Sequence, residues 1–180
     1  MPVAASAASP DDLRDGHPAP LHGLVLVSTP IGNLGDISAR ARAVLETCDL
    51  ILCEDTRRTG RLLAAMDIQG RTETLHDHNE DAKIDSVLGR LRADQTIALV
   101  SDAGTPLVSD PGYRLVRAVI EANLSVTAIP GPNAAVTALI LSGLPPSPFM
   151  FLGFPPPKQA ARRAVFSGIR AAEQIGRAHV

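Results

Sequence analysis

The chain has 180 residues, of which 45% are hydrophobic and 20% are charged, and its formal net charge is −2. This length is enough for one well-buried globular domain and leaves little for a second. Aromatic residues make up only 3% and there is no long basic run. The composition therefore does not support stacking of single-stranded bases, and any contact with nucleic acid requires a local basic patch.

The N-terminal residues 1–22 are rich in Ala, Ser, Pro and Asp without periodicity, which predicts a disordered tail. The first strand is predicted over 24–27 and ends in a loop over 28–35 that contains Pro30 and two glycines. Asp36 is placed to cap the next helix, in which apolar residues recur at helical spacing up to Cys48.

A second strand is predicted over 50–53, and it ends in the polar cluster Glu54-Asp55-Thr56-Arg57-Arg58. One interpretation is structural: Asp55 or Thr56 caps the following helix and the arginines are solvated. The other interpretation gives the cluster a catalytic role. The two interpretations are compatible.

A short third strand over 72–75 leads into His76-Asp77-His78-Asn79-Glu80. Two histidines with acids between them suggest part of a metal site, but no further ligands stand at a recognised spacing. We therefore expect no metal and favour a polar loop that contacts substrate or caps a helix. The helix that follows has apolar residues at i, i+3, i+4 and i+7, beginning with Ile84.

The most informative strand is predicted over 97–100, a continuous apolar run typical of a strand buried on both faces. It ends in Ser101-Asp102-Ala103-Gly104-Thr105-Pro106, whose small side chains allow a ligand to approach the backbone. Ser109 and Asp110 are placed to cap a helix with Pro111 in its first turn. Such a loop is where open α/β sheets bind ligands, although an ordinary strand-to-helix connection has the same composition.

A further strand over 125–129 ends in Pro130-Gly131-Pro132-Asn133-Ala134-Ala135, with Asn133 placed to start a helix through Leu141. Strand and helix thus alternate about five times along the chain. This pattern predicts an α/β fold with a mostly parallel sheet and helices on both faces. We assign 23–144 to this domain.

Residues 145–180 are expected to be a linker and the beginning of an incomplete C-terminal domain. The Pro-rich 145–148 is typical of a domain boundary, and the apolar run 149–154 is expected to form an exposed patch. One helical stretch follows before the sequence stops, so we expect a C-terminally truncated reading frame.

The sequence gives no sign of a membrane span or a secretory leader. No segment approaches about 18 consecutive apolar residues, and the N-terminus lacks a basic region followed by an apolar one. Cys48 and Cys53 are not at metal-ligand spacing and are predicted to be small buried residues in a reducing compartment. We expect a cytoplasmic protein.

Four of these loops together resemble the tetrapyrrole methylase superfamily, and within it the branch that methylates ribose in small-subunit ribosomal RNA. The motifs are Thr29-Pro30-Ile31-Gly32-Asn33-Leu34-Gly35-Asp36, Glu54-Asp55-Thr56-Arg57, His76-Asp77-His78-Asn79-Glu80, and 101–106 continuing to Asp110-Pro111-Gly112, with 130–135 in support. Each motif is weak alone, but their order is specific, and the resemblance covers about residues 22–168.

The resemblance implies an N-terminal α/β domain, a C-terminal mixed α/β domain and S-adenosyl-L-methionine bound in the cleft between them. It implies 2′-O-methylation of a cytidine in 16S rRNA of the 30S subunit, by a homodimer when the protein is full length. The cofactor contacts that it implies are Pro30, Asp102, Ala103, Gly104, Thr105, Val108, Asn133 and Ala134.

By the same resemblance, Asp55 matches an aspartate proposed as a base in porphyrin methylases. We hypothesise that Asp55 accepts or orients the hydroxyl proton and that Arg57 and Arg58 contact rRNA phosphates, with His76 and Asn79 also facing rRNA. Orientation of the reactants supplies on the order of 7–11 kcal/mol of such a barrier, and a general base adds about 10²–10⁴-fold. Since an unperturbed aspartate has a pKa near 4, Asp55 needs burial or a relayed water to act as a base.

Two alternatives stay open at this point. One is a tetrapyrrole C-methyltransferase of the same fold with a porphyrin-like acid as substrate. The other is a non-catalytic cofactor-binding fragment, because half of the expected cleft is missing from this chain.

Overall fold

The computed structural model describes residues 21–170 and contains a five-stranded, all-parallel sheet. The strand order is β3-β2-β4-β1-β5. The strands are β1 Gly23–Val27, β2 Leu50–Cys53, β3 Thr72–Thr74, β4 Thr96–Val100 and β5 Val126–Ile129. All five strands predicted from the sequence are present, within a residue or so of the expected bounds.

Helices cover both faces of the sheet, as predicted. They are α1 Ala39–Thr47, α2 Thr56–Ala65, α3 Glu80–Arg92, α4 Tyr113–Glu121, α5 Ala134–Leu141 and α6 Gln159–Arg170, with a short 3-10 turn over Leu34–Asp36. Since every strand pair is parallel, the carboxyl ends of all strands lie at one edge of the sheet, and the loops that follow them meet there.

Two apolar cores form, one on each side of the sheet. Leu45 of α1 and Leu63 of α2 pack with Ile51 of β2 on one side. On the other side, α3 and α4 pack against residues such as Leu52 and Leu99. Neighbouring residues of β2 thus enter opposite cores, which is why this strand is an unbroken apolar run.

Local capping follows the sequence at two helices and departs from it at two others. Asp55 and Asn133 are the N-caps of α2 and α5, as predicted. Asp36 does not cap α1, because it lies in the 3-10 turn and the hydroxyl of Ser38 accepts from the Ala41 N–H instead.

The start of α4 was predicted wrongly. The helix begins at Tyr113 after Gly112, whose φ of 115° is the left-handed conformation that glycine tolerates best. A Cβ at that position would lie 2.7 Å from Leu99 Cδ2. Pro111 is therefore outside the helix, and the Leu115 N–H is satisfied by the carboxylate of Glu80 at 2.8 Å, not by a neighbouring side chain.

The ends of the chain fall largely outside the described residues. The predicted tail over 1–22 has only its last two residues in the structure, where the Leu21 carbonyl accepts a hydrogen bond from Thr96 Oγ1 at 2.8 Å. Residues 171–180, which include the suspected truncation, also lie outside them. In the stretch from 21 to 170, no helix has both the length and the apolar character needed to cross a bilayer.

Cys53 is buried and Cys48 half-buried, and both are free thiols. Burial raises the pKa of the Cys48 thiol to about 11. A thiol with such a pKa is protonated at neutral pH and unreactive, which agrees with a packing role.

Candidate functional site

The loops after β1, β4 and β5 are tied together by one side chain, Thr105. Its hydroxyl accepts from the Ser28 Oγ and the Asn133 Nδ2, each at 3.4 Å, and donates to the Pro132 carbonyl at 3.1 Å. Thr105 and Asn133, two of the predicted cofactor contacts, are therefore direct neighbours. Ser28 was missed by the sequence analysis, although a polar residue that directly follows a buried strand is a usable signal.

Gly104 and Thr29 join the same loops through their backbones. The Thr29 N–H donates to the Gly104 carbonyl at 2.9 Å, and the Gly104 N–H donates to the Thr29 carbonyl at 3.1 Å. Gly104 has a φ of 86°, and a Cβ there would lie 3.3 Å from Ile31 Cγ2 and 3.6 Å from the Pro132 carbonyl oxygen. Gly104 is itself buried, so the group formed by its backbone, Ile31 and the Pro132 carbonyl, here called the recess, is closely packed.

Further along the same loop, Leu107 and Ser109 adopt left-handed backbone conformations with φ of 71° and 68°. Residues with side chains rarely adopt this conformation, and it is enriched at ligand clamps. Val108, a predicted cofactor contact, stands between them with 39% of its surface exposed. The loop therefore exposes the apolar side chain of Val108 between two residues that adopt an unfavourable backbone conformation.

A second group of residues forms an open cleft of about 480 Å³ next to this recess. The cleft is lined by Glu54, Asp55, Thr56, Arg57, Arg58, Thr74 and Asp102. Arg58 Nη1 lies 3.0 Å from Asp102 Oδ2 and links the loop after β2 to the loop after β4. The other oxygen of Asp102, Oδ1, is buried and has no hydrogen-bond partner among the described residues. Asp102 therefore carries an unused acceptor between the recess and the cleft.

Asp55 is held by the helix that it caps. Its Oδ1 accepts from the Arg57 N–H at 2.8 Å and from Arg57 Nε at 3.2 Å, and its Oδ2 accepts from Arg57 Nη2 at 3.1 Å. These hydrogen bonds, the guanidinium first and the backbone N–H second, lower the pKa of Asp55 to about 2. Asp55 is half-buried, but its hydrogen bonds stabilise the charged form, and its catalytic role stays a prediction.

The pKa of Glu54 is shifted in the opposite direction, above its ordinary value. Partial burial of its carboxyl and then the negative charges of Asp102, Asp110 and Asp77 raise the pKa of Glu54, and only Arg58 opposes them. Two adjacent carboxylates of the chain thus have pKa values shifted in opposite directions, an arrangement that is frequent at functional sites.

His76 and Asn79 follow β3 and are not among the residues that line the cleft. The side chain of Asn79 closes its own loop: Oδ1 accepts from the His76 N–H at 2.9 Å and Nδ2 donates to the Thr74 carbonyl at 3.2 Å. His76 is exposed, with its ring centroid 6.0 Å from that of His78. Within the described part of the chain, no three metal-ligating side chains come together.

The chain is similar in sequence to proteins of one family. Residues 23–172 match the sequence model of the family described as Tetrapyrrole (Corrin/Porphyrin) Methylases. The chain is 49% identical over 164 residues to the Ribosomal RNA small subunit methyltransferase I of Micromonospora olivasterospora, covering 91% of this chain and 52% of that protein. It is 53% identical over 148 residues to the protein of the same name from Escherichia coli O157:H7, covering 82% of this chain and 52% of that one.

Among solved structures, the chain superposes on the uroporphyrin-III-C-methyltransferase of Thermus thermophilus with a TM-score of 0.52 and 24% identity, over 68% of this chain and 52% of that one. This likeness concerns the fold. The chain spans about half the length of the curated relatives that it matches. The family match over 23–172, together with relatives about half identical across most of the chain, shows that this chain belongs to the tetrapyrrole methylase family.

Proposed function

We propose that this chain is the donor-binding half of an S-adenosyl-L-methionine-dependent methyltransferase that methylates the ribose 2′-hydroxyl of a cytidine in 16S rRNA. The observation that carries the proposal is the identity of about half of all aligned residues to relatives named Ribosomal RNA small subunit methyltransferase I. The acceptor would be rRNA within the 30S subunit.

Two features of the structure fit the methyl donor. The first is the unpartnered, buried Oδ1 of Asp102, which is suited to accept a hydrogen bond from an amine or a hydroxyl. The second is the recess at Gly104, where an added Cβ would lie 3.3 Å from Ile31 Cγ2 and Ile31 would have to shift slightly. The bound donor supplies an electrophilic methyl group on a sulfonium. The residues that would hold it are Pro30, Asp102, Ala103, Gly104, Thr105, Val108, Asn133 and Ala134.

Four residues that follow β2 and β3 are proposed to face rRNA. The side chains of Arg57 and Arg58 are 85% and 65% exposed and extend from the first turn of α2. Guanidinium groups at such a position suit phosphate oxygens. His76 is exposed in the loop after β3, and Asn79 would act by holding the loop of His76 in place.

In this proposal, the residues of the chain bind the methyl donor and orient the ribose against it. The recess fixes the donor, the cleft receives the ribose, and the arginines offset part of the carboxylate charge that would repel RNA. Holding the acceptor oxygen in line with the methyl group supplies on the order of 7–11 kcal/mol of the barrier. We further propose that 23–144 is the donor-binding domain and that 145 onward begins a second domain of a cytoplasmic homodimer. The ribosomal substrate of the relatives supports the compartment, and the exposed apolar residues described below support a missing packing partner.

A tetrapyrrole C-methyltransferase is the second candidate, and the fold shared with the uroporphyrin enzyme of T. thermophilus favours it. A porphyrin-like polycarboxylic acid would meet Glu54, Asp102 and Asp110 at the mouth of the site. This charge makes such a substrate a poor fit.

Transfer of labelled methyl from S-adenosyl-L-methionine to 30S subunits that lack this methylation tests the proposal. The assay uses the chain as given and the same chain extended by the remaining half of the E. coli relative. We expect label on a ribose oxygen with the extended chain and little or none with the chain alone, because the donor cleft lacks its second wall. Label on a uroporphyrinogen-type acid, with none on 30S subunits, would establish the second candidate instead.

A further inference from the structure

We propose that the carboxylate of Glu54, and not that of its neighbour Asp55, takes the proton from the acceptor hydroxyl. The inference rests on the proposed methyl transfer to an oxygen. The sequence motifs pointed instead to Asp55, the next residue along the chain.

Glu54 has more oxygen lone pairs free to accept a proton than Asp55 has. Both residues line the same cleft. Both oxygens of Asp55 are engaged by Arg57, and a proton on Asp55 would break the cap of α2. Glu54 has no hydrogen-bond or ion-pair partner anywhere in 21–170, so its oxygens are free to meet a hydroxyl.

The charges around the Glu54 carboxyl are mostly negative. Asp102 and Asp110 from the loop after β4 and Asp77 from the loop after β3 all act on it, and Arg58 is the opposing charge. Arg58 is already paired with Asp102 at 3.0 Å, which weakens its effect on Glu54. Partial burial and then these like charges favour the protonated carboxyl, and so make Glu54 the stronger base of the two.

Asp102 also lines the cleft, and its Oδ1 has no hydrogen-bond partner in the described part of the chain. That oxygen is buried and the other is bound to Arg58. A proton placed on Asp102 would weaken its ion pair with Arg58, and no solvent is in contact with Oδ1 to remove the proton. Although its carboxyl is partly desolvated, Glu54 keeps contact with solvent and can release a proton to water after each turnover.

In the proposed methyl transfer, every bond that breaks is matched by one that forms. The O–H bond of the acceptor breaks, its proton joins a Glu54 oxygen, and the electron pair of that bond forms the new bond from oxygen to the methyl carbon. The methyl group comes from a sulfonium donor, whose sulfur keeps the electron pair of the broken S–C bond and becomes a neutral thioether.

The test compares Glu54→Gln, Glu54→Asp and Asp55→Asn with a matched control, Glu121→Gln. Glu121 is an exposed glutamate on α4 that pairs only with Arg117 among the described residues. In whichever version of the chain methylates 30S subunits, we expect Glu54→Gln to slow the transfer about 10²–10⁴-fold. Glu54→Asp should fall between, and Asp55→Asn should lose less than Glu54→Gln. Equilibrium binding of S-adenosyl-L-methionine should change little in Glu54→Gln, and the acidic limb of its pH profile should disappear.

A second measurement needs no activity: ¹³C NMR titration of the side-chain carboxyls in this chain, with the two substitutions as assignments. We expect Glu54 to titrate above an ordinary glutamate and Asp55 well below an ordinary aspartate. Unchanged turnover in Glu54→Gln, or a Glu54 that titrates at or below Asp55, would overturn the inference. If neither version of the chain methylates RNA, the proposed function fails while the titration still decides which carboxyl is the stronger base.

Discussion

At the scale of single residues, Asp55 shows how one hydrogen-bond pattern lowers the pKa of a carboxylate. An N-cap aspartate accepts from backbone N–H groups at the positive end of a helix, and here the guanidinium of Arg57 adds two more hydrogen bonds. Each of these interactions favours the charged form. The residue most easily picked out by its motif is thereby the weaker base of the pair.

Acidification should therefore unfold the start of α2 through Asp55. Its pKa is lowered to about 2 in the folded chain, so its stabilising effect is present above its unfolded pKa of about 4 and is lost as the pH falls toward the folded value. We expect Asp55→Ala to lower the urea midpoint at pH 7 and the difference from the original chain to shrink between about pH 4 and pH 2. Asp55→Asn, which keeps a capping oxygen, should lower the midpoint less. A difference for Asp55→Ala that stayed constant down to pH 2 would contradict this account.

At the scale of elements, α3 and α4 are joined by a buried carboxylate. Glu80 is 2% exposed, and its Oε1 accepts from the Leu115 N–H at 2.8 Å while its Oε2 accepts from Arg114 Nε at 3.4 Å. Arg114 also donates to Asp81 at 2.8 Å and to the Asp77 carbonyl. The start of α3, with the histidine loop before it, is thus fixed to the helix that follows the proposed donor loop.

Loss of Glu80 should destabilise both helices. Glu80→Ala leaves the Leu115 N–H without a partner inside the protein, and we expect the free energy of unfolding to fall by about 1–3 kcal/mol in urea denaturation. Amide hydrogen exchange at Leu115 should accelerate in parallel. Asp81→Ala is the control, because Asp81 is an exposed partner of the same arginine and should change the free energy of unfolding by less than about 1 kcal/mol. Equal stability of the two variants would rule out the proposed clamp.

At the scale of the whole molecule, the chain leaves a large apolar surface uncovered after residue 140. Phe149 and Phe154 are 50% and 80% exposed, and Leu141 at the end of α5 is 79% exposed. Monomeric proteins rarely expose contiguous apolar surface of this kind. We therefore expect this surface to drive self-association of the chain.

Polar substitution of this surface should reduce self-association without destabilising the fold. We expect Phe149→Ser with Phe154→Ser to lower concentration-dependent light scattering several-fold and to change the free energy of unfolding by less than about 0.5 kcal/mol per site. Tyr113→Ser, at an aromatic residue that is 62% exposed elsewhere on the molecule, is the matched control and should leave the scattering unchanged. Equal scattering from the double variant and the original chain would show that another surface drives association.

Much of the fold and part of the site could be predicted because their causes are local in sequence. Apolar runs mark β1, β2 and β4 because these strands are buried on both faces. Asp55 and Asn133 cap helices through contacts two and three residues away. The order of the loop motifs was enough to indicate the family. These features depend on residue types and short spacings, which the printed sequence shows directly.

The remaining features depend on contacts between residues that are distant in sequence. The pairing of Arg58 with Asp102, the meeting of Ser28, Thr105 and Asn133, and the capping of α4 by Glu80 all arise because parallel strands bring their carboxyl ends to one edge. The contrast between Glu54 and Asp55 has the same origin: the first is surrounded by carboxylates from two other loops, and the second is bound by its own helix. Charge interactions of this kind act through space between the loops. They could be recognised only from the strand order, which places those loops side by side.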